Sequence, residues 1–423
     1  MAITRHSRWS CSVYCVLILL LADNAFAQTA KSSALTTKPK VRAITAFIQL
    51  DISKYQQQLA DTLKMLRGAK QEYERAGYEV ESVRITTQPF PQYTKGMSDA
   101  AALEFFRNYD EFSRRESFDP NIGPAMVADN DDPHAAELLA RVLSENKSLE
   151  ASIIAAGPDG VHWKAVHAAA RVIKYVEEHS PRSQGNFNFT VTAMLEPYGP
   201  FYPGSYHLGA GHQFSVGLES ANVVDAVLAA SPGDYATARQ RLTEELTRHA
   251  QDCERVARQI EKTSGWTYTG LDPTPAPLGK VSIGAAIEKF TGARFGSSGT
   301  LTAAAMITSA VRAVAVKQVG YIGLMVPVLE DERLAERWSQ GAYTIDALLA
   351  YSAVCGTGLD TVPLPGDVSE EQLAGILGDV ASLAVRWKKP LSGRLQPVAG
   401  KKAGERTEFD DPFLSNAVLQ PLP

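Results

Sequence analysis

The stretch VRAITAFIQLDISKYQQQLADTLKMLRGAKQEYERAGYEVESVRITT, residues 41–87, decides the fold class. VRAITAFIQLD (41–51) is rich in β-branched and apolar residues, which suit a pleated, half-buried surface. Tyr55, Leu59, Leu63, Leu66, Ala69 and Tyr73 then recur at the spacing of one helical face. Gly77 stops that helix, and VESVRITT (80–87), with Val83 and Ile85 on one side, starts a second strand. Strand, helix and strand in immediate succession form a βαβ unit.

Outward from this unit the alternation continues. Strands are predicted at Ser152 to Ala156, Phe187 to Leu195 and near Phe214, with a helix from Val161 to Glu178 among them. A long helix from Tyr235 to Lys262 leads to a strand near Trp266, helices near Ile283 and Leu301, and a strand at Gly320 to Val326. Helices near Ala335 and Ile345, a strand at Leu359 to Val362, a helix from Glu370 to Trp387 and a strand at Arg394 to Val398 complete the chain. Repeated alternation of this kind specifies an α/β architecture with a mostly buried sheet. No repeat of fixed period marks a solenoid. No low-complexity linker interrupts the run, so residues 41–423 are expected to form one large domain.

The first residues carry Arg5, His6 and Arg8 without an acid, followed by the apolar run VYCVLILLL (13–21) and by Ala25-Phe26-Ala27. A basic start, a short apolar stretch and small residues before a cut define a secretory signal peptide, so residues 1–27 are expected to be removed before Gln28. The run is too short for a helix spanning ~30 Å of hydrocarbon. Residues 28–40 (QTAKSSALTTKPK) are small and polar and read as a flexible linker. The expected location is periplasmic or secreted, with no membrane association after cleavage.

Lys and Arg number 42 against 47 Asp and Glu, a net charge of −5 without long blocks of either sign. That balance removes the electrostatic case for nucleic acid or anionic lipid as partners. Beyond the signal only Cys253 and Cys355 remain, too few for a disulfide scaffold, though a bridge between them stays open.

Several stretches together resemble one family: TGLDPTPAPLGKVSIGAAIE (269–288), FGSSGTLTAAAMI (295–307), VGYIGLMVPVLED (319–331), YSAVCGTGLDTVPLPGDVS (351–369) and PVAGKKAGERTEF (397–409). The likeness reaches back through YHLGAGHQFSVGLESANVV (206–224) to VRAITAFIQLD. The family is that of domain of unknown function 711. The resemblance implies an α/β barrel like that of pyruvate formate-lyase and the other glycyl-radical enzymes, and it brings no established activity. Those enzymes carry a radical glycine in an Arg-Val-x-Gly-Tyr-like loop near the carboxy terminus, whereas Gly400 and Gly404 here lie in VAGKKAGE. The barrel is therefore carried over and the radical chemistry is not.

Three constellations could carry chemistry. Cys355, in SAVCGTGLD, follows an apolar helix face and precedes two glycines. A thiol at such a turn becomes a nucleophile when a neighbour lowers its pKa, and is otherwise a buried small hydrophobe. His207 and His212, around Gly209 and Gly211, could act as acid and base with Asp360, or ligate a metal together with Glu219. His162 and His167 stand five apart on a predicted helix and cannot share a face. In the third, Ser297, Ser298, Gly299 and Thr300 precede an alanine-rich helix whose amino terminus could hold an anion. Ser and Thr are equally ordinary caps there. Asp272, in the LDPTPAP turn, is a further candidate at a cavity mouth.

The preferred expectation is a non-radical enzyme acting on a small anionic, carboxylate-bearing molecule in the barrel. The alternatives are a periplasmic binding or sensing protein without turnover, and a metal-dependent hydrolase built on His207 and His212. Cofactor and oligomeric state stay open. The candidate residues are expected to converge on one cavity, on loops at one strand end as in other barrels.

Overall fold

In the computed structural model, which describes residues 38–422, β1 (Lys40–Ile48) and β2 (Val80–Thr87) pair in parallel. The helix Tyr55–Arg75 joins them and buries Leu59, Leu63, Leu66, Ala69 and Tyr73. The expected signal peptide, residues 1–27, and the expected linker as far as residue 37 lie outside the described residues. β3 (Asp119–Pro124), β4 (Glu150–Gly157) and β6 (Phe189–Ala193) extend the parallel run, and β5 (Gly160–Val161) is a short appendage on β4.

The remaining strands run the other way. β7 (Gln213–Glu219) lies antiparallel to β1 and parallel to β8 (Thr267–Asp272). β10 (Leu391–Val398) lies antiparallel to β6 and parallel to β9 (Gly358–Pro365). The order β8-β7-β1-β2-β3-β4-β6-β10-β9 makes one mixed, largely parallel sheet, the α/β class that the alternation required. No helix among the described residues is long and apolar enough to cross a membrane.

Three regions depart from the sequence expectation, one of them the helix Ala221–Ala229, which has no counterpart in the prediction. Between residues 88 and 149, the helices Asp99–Glu116 and His134–Glu145 and strand β3 have no counterpart in the prediction. β3 reads DPNIGP, and its two prolines and one glycine disguise a strand as a loop. The strand expected at Gly320 to Val326 is irregular, because Gly320 (φ 101°) and Ile322 (φ 52°) break the extended run. Its flanks still make parallel bridges, Leu271 with Gln318 beside β8 and Pro327 with Asp360 in β9.

The sheet's two faces differ in chemistry. One face packs Ile44, Ala46, Ile85 and Ile153 against the helices in a continuous apolar core. The other bears Ser82, Arg84 and Thr86 on β2, Asp119 and Asn121 on β3, Thr190 on β6, and Ser392 and Arg394 on β10. The connection from β6 to β7 crosses this polar face. The Pro200 carbonyl accepts from Thr45 Oγ1 (3.0 Å), the Pro203 carbonyl accepts from Asn121 Nδ2 (2.7 Å), and the Tyr202 and Thr86 hydroxyls bond at 2.8 Å. Gly217 of β7 makes room for the crossing, since a Cβ there would stand 3.2 Å from the Phe201 ring. Phe201 joins Leu195, Ala276, Tyr321 and Met325 in a second, separate apolar cluster.

Candidate functional site

Beside the crossing segment lies a cavity of about 590 Å³, within the range of small-molecule sites. Its walls come from the polar face, and among the described residues four cations (Arg42, Arg84, Lys147, Arg394) meet six carboxylates (Glu81, Asp119, Glu150, Glu330, Asp360, Asp411) there. Charges are rare inside apolar strands unless paired or functional.

Breaks in strand register bring several of these side chains to the cavity. Arg42 is the extra residue where β1 slips against β7, between Val41 and Ala43. Arg394 lies where β10 slips against β9, opposite Asp360 and Thr361, and Thr361 holds an unusual positive φ of 46°. β3 slips against β4 between Asn121 and Pro124, next to Glu150. Bulges re-aim side chains in this way and are common beside functional sites. Positive φ at a β-branched residue is a strained choice of the same kind.

The cations differ in how far their bonding is satisfied. Arg42 Nη1 binds Glu81 (2.9 Å) and Glu219 (3.1 Å), and its Nη2 reaches Glu330 at 3.6 Å. Arg394 Nε donates to Asp360 at 2.8 Å, its Nη2 binds the other oxygen of Glu330, and its plane lies 4.8 Å from the Phe187 ring centroid. Burial alone would lower both guanidinium pKa values, but the surrounding carboxylates outweigh it and hold both raised. Arg84 is freer. Its Nε meets Ser82 Oγ at 2.9 Å and an Asp119 oxygen at 3.5 Å, its Nη1 lies 3.4 Å from the Pro200 carbonyl, and its plane covers Tyr202 at 4.7 Å. These contacts fix its position and leave it one carboxylate, Asp119, at the long distance of 3.5 Å, with neither Nη paired to an acid.

Glu150 has surface toward the cavity, and its carboxyl has no hydrogen bond or ion pair among the described residues. Desolvation by the surrounding protein pushes its pKa up to about 8, despite the opposing pull of Arg84. Burial likewise raises Glu219 to about 7 and raises Glu330. A carboxylic acid that keeps its proton at neutral pH beside a guanidinium is suited to general acid and base work.

Of the residues singled out from sequence, Asp360 lines this cavity, and Glu219 lies directly behind it on Arg42. The expected convergence of the others is corrected. His207 is buried near the opposite end of β1 and β2: its N–H donates to the Thr87 carbonyl and its Nε2 pairs with Gln213 at 3.0 Å. Burial lowers its pKa. His212 is exposed and stacks on Trp266 at 4.8 Å. Glu219 is at the far end of β7, about 20 Å from these histidines at the usual strand rise. The three cannot share one ion, and among the described residues no group of three such side chains could.

Cys355 is buried beyond the helix Ile345–Ser352, where Lys389 Nζ donates to the carbonyls of Ser352 and Cys355, capping the helix end. It therefore fits the buried-hydrophobe reading. Cys253 is also free and buried, so the two form no disulfide. Ser297 and Ser298 are exposed on another surface, Gly299 takes the cap position, and Thr300 Oγ1 is occupied by the Gly296 N–H at 3.1 Å. Asp272 acts one layer back. Wholly buried and raised to about 6 by desolvation, it accepts from the N–H groups of Thr274 (3.0 Å) and Tyr321 (2.8 Å), and so places Tyr321 in the cavity wall. His162 is a satisfied core histidine, bonded to the Ile154 carbonyl (3.1 Å) and Asp159 (3.0 Å).

Arg42, Arg84, Glu150, Glu330, Arg394 and Asp411 are absent from the sequence-derived set. For Arg42, Arg84, Glu150 and Arg394 the signal was a charge within a strand, as in VRAITAFI, VESVRITT and EASIIAAG, whereas Glu330 and Asp411 lie outside the strands.

Fold and cavity together define an α/β protein whose polar sheet face holds a small-molecule-sized, charge-lined site. Residues 34–410 match the family model described as "Uncharacterised ACR (DUF711)", and the chain belongs to that family. It is 31% identical to a UPF0210 protein of Pyrobaculum arsenaticum over 393 residues, covering 86% of each chain. A UPF0210 protein of Pyrobaculum aerophilum is 31% identical across 87% of this chain and 85% of its own. One from Syntrophobacter fumaroxidans is 30% identical across 82% and 80%.

Proposed function

We propose that the protein is an exported, non-radical enzyme that binds a small carboxylate-bearing molecule at Arg84 and moves a proton on it through Glu150. The observation that carries this reading is Glu150 itself, a carboxyl turned to a cavity without a protein partner, in the field of a positioned guanidinium. Structural charges are normally paired, whereas a catalytic acid keeps its bonding capacity for substrate. Arg84 presents the planar fork that matches a carboxylate.

The sheet is read as the wall of a pyruvate formate-lyase-like barrel. Five parallel strands (β1, β2, β3, β4, β6) face four of opposite sense, and the segment 317–328, bridged in parallel to β8 and β9, supplies a fifth. The second apolar cluster, on the face away from the helices, supports this closure.

The test uses thermal denaturation with acetate, lactate, pyruvate and succinate, together with proton NMR in D₂O to follow exchange of hydrogens next to the carboxylate. Stabilisation that is lost in Arg84→Gln, and exchange that is lost in Glu150→Gln while binding persists, are expected. Binding that depends on Arg84 without exchange by the wild type would point to a binding protein. Absence of any Arg84-dependent stabilisation would overturn the reading.

A further inference from the structure

We propose that the molecule held in this cavity is a small zwitterion, with its carboxylate on Arg84 and an ammonium group among the carboxylates around Arg394. The inference rests on Arg84 as the carboxylate anchor and adds the opposite charge that the far side of the cavity selects.

The two sides differ in charge balance. At the first, Arg84 is held by Ser82, Pro200 and Tyr202, and with Lys147 at the rim it balances two carboxyls, Asp119 at 3.5 Å and Glu150, whose burial favours its proton. At the second, Arg42, Arg394 and the half-exposed Lys40, 3.5 Å from Glu81, are outnumbered by five carboxylates: Glu81 and Glu219 on Arg42, Glu330 between the two guanidinium groups, Asp360 on Arg394, and Asp411 at the wall. Complete pairing still leaves negative charge in a space walled by protein, where a lone charge is costly.

Protons or a bound cation relieve such an excess. Burial raises Glu219, Glu330 and Asp411, so protons are favoured there in the free protein. An ammonium group supplies the same charge and brings three N–H donors for oxygens whose lone pairs the two guanidinium groups do not exhaust. A divalent ion suits the place less well, because the guanidinium groups are interleaved with the carboxylates and no metal-like cluster forms among the described residues. Phe413, at the rim and 5.8 Å from Arg42, adds an aromatic face of the kind that attracts cations. Glu150, which feels both Arg84 and Arg394, stands between the two sides and so beside the middle of a bound zwitterion.

Calorimetry at pH 7.5 tests this with three matched series: glycine, β-alanine, 4-aminobutyrate and 5-aminovalerate; acetate, propionate, butyrate and valerate; and methylamine to butylamine. At least one zwitterion is expected to bind tenfold or more tighter than both its matched acid and its matched amine. Asp411→Asn retains the oxygen that accepts the Phe413 N–H (2.9 Å), and should weaken that zwitterion about tenfold while leaving the matched acid within twofold. Acids that bind through Arg84 as tightly as the zwitterions would overturn this inference and leave the proposed function standing. An amine that binds as tightly as its zwitterion would also overturn it. If neither acids nor zwitterions respond to Arg84→Gln, both readings fall. The wild-type panel decides the matter even if the Asp411 variant does not fold.

Discussion

Replacing Glu150 by Gln keeps the shape of the side chain and removes its titration, so the effect on stability is a function of pH. In the folded chain this carboxyl titrates at about 8, against an ordinary 4.5. Below pH 4.5 it is protonated whether the chain is folded or unfolded, and no stability depends on it. Between these values the unfolded chain gives up the proton while the folded chain keeps it, so wild-type stability falls as pH rises and stops falling above about pH 8. At 1.36 kcal/mol per unit the full difference is about 5 kcal/mol. Water reaching the cavity screens part of it, leaving roughly 2–3 kcal/mol. Relative to wild type, Glu150→Gln should therefore gain that amount between pH 4.5 and pH 9, or about 3 °C in melting temperature for a chain of this size. Melting curves of both proteins from pH 4.5 to pH 9 give the difference directly and cancel the similar slopes from Glu219 and Asp272. A difference that stays flat with pH would refute the claim that Glu150 holds a proton at neutrality.

Three further outcomes follow from the packing and the sequence. Gly320→Ala should destabilise the chain by about 3 kcal/mol in urea unfolding, because φ is 101° there and a Cβ would stand 2.3 Å from the Asp272 carboxylate. Unchanged stability would show that Asp272 does not hold the 320–322 turn. Iodoacetamide at pH 7.5 should leave Cys253 and Cys355 unmodified in the native protein and label both in guanidinium chloride, since both are buried; peptide mass mapping reads this, and rapid native labelling of Cys355 would restore it as a nucleophile. Amino-terminal sequencing of extracytoplasmic protein should begin at Gln28, and an intact Met1 would remove the export reading.

The fold was legible where side-chain periodicity was unbroken. Leu59, Leu63, Leu66 and Tyr73 mark their helix without ambiguity, and the helix Glu370–Trp387 has the predicted bounds. Periodicity fails where backbone chemistry dominates: β3 hides behind Pro120, Gly123 and Pro124, and the 320–326 stretch loses its strand to two positive φ values. The site was legible only at Asp360 and, one step back, at Glu219 and Asp272. Glycine-bearing loops drew attention to Cys355, His207 and Ser297, yet a glycine signals a turn as readily as a ligand. At Gly299 it starts the helix Thr300–Arg312, and at Gly356 it permits close packing on Gly323. Most charges that line the cavity lie inside strands, and the direction of Arg42, Asp360 and Arg394 depends on bulges whose positions no local pattern reveals.

The linked chain Arg42–Glu330–Arg394–Asp360 argues that this placement is functional. Taking four charges out of water is expensive, and well-packed apolar residues of similar volume commonly serve stability as well or better. A chain selected for stability alone would gain little by turning Arg42 inward through a bulge or by holding Thr361 at positive φ beside Asp360. Both features become intelligible if the charges must face a cavity at fixed positions. The cost falls on a rigid sheet, where strands hold a constellation more closely than loops can. The proposed function therefore rests on the polar face of the strands, while His207 and Cys355, which first stood out in the sequence, are buried away from it and Gly299 caps a helix.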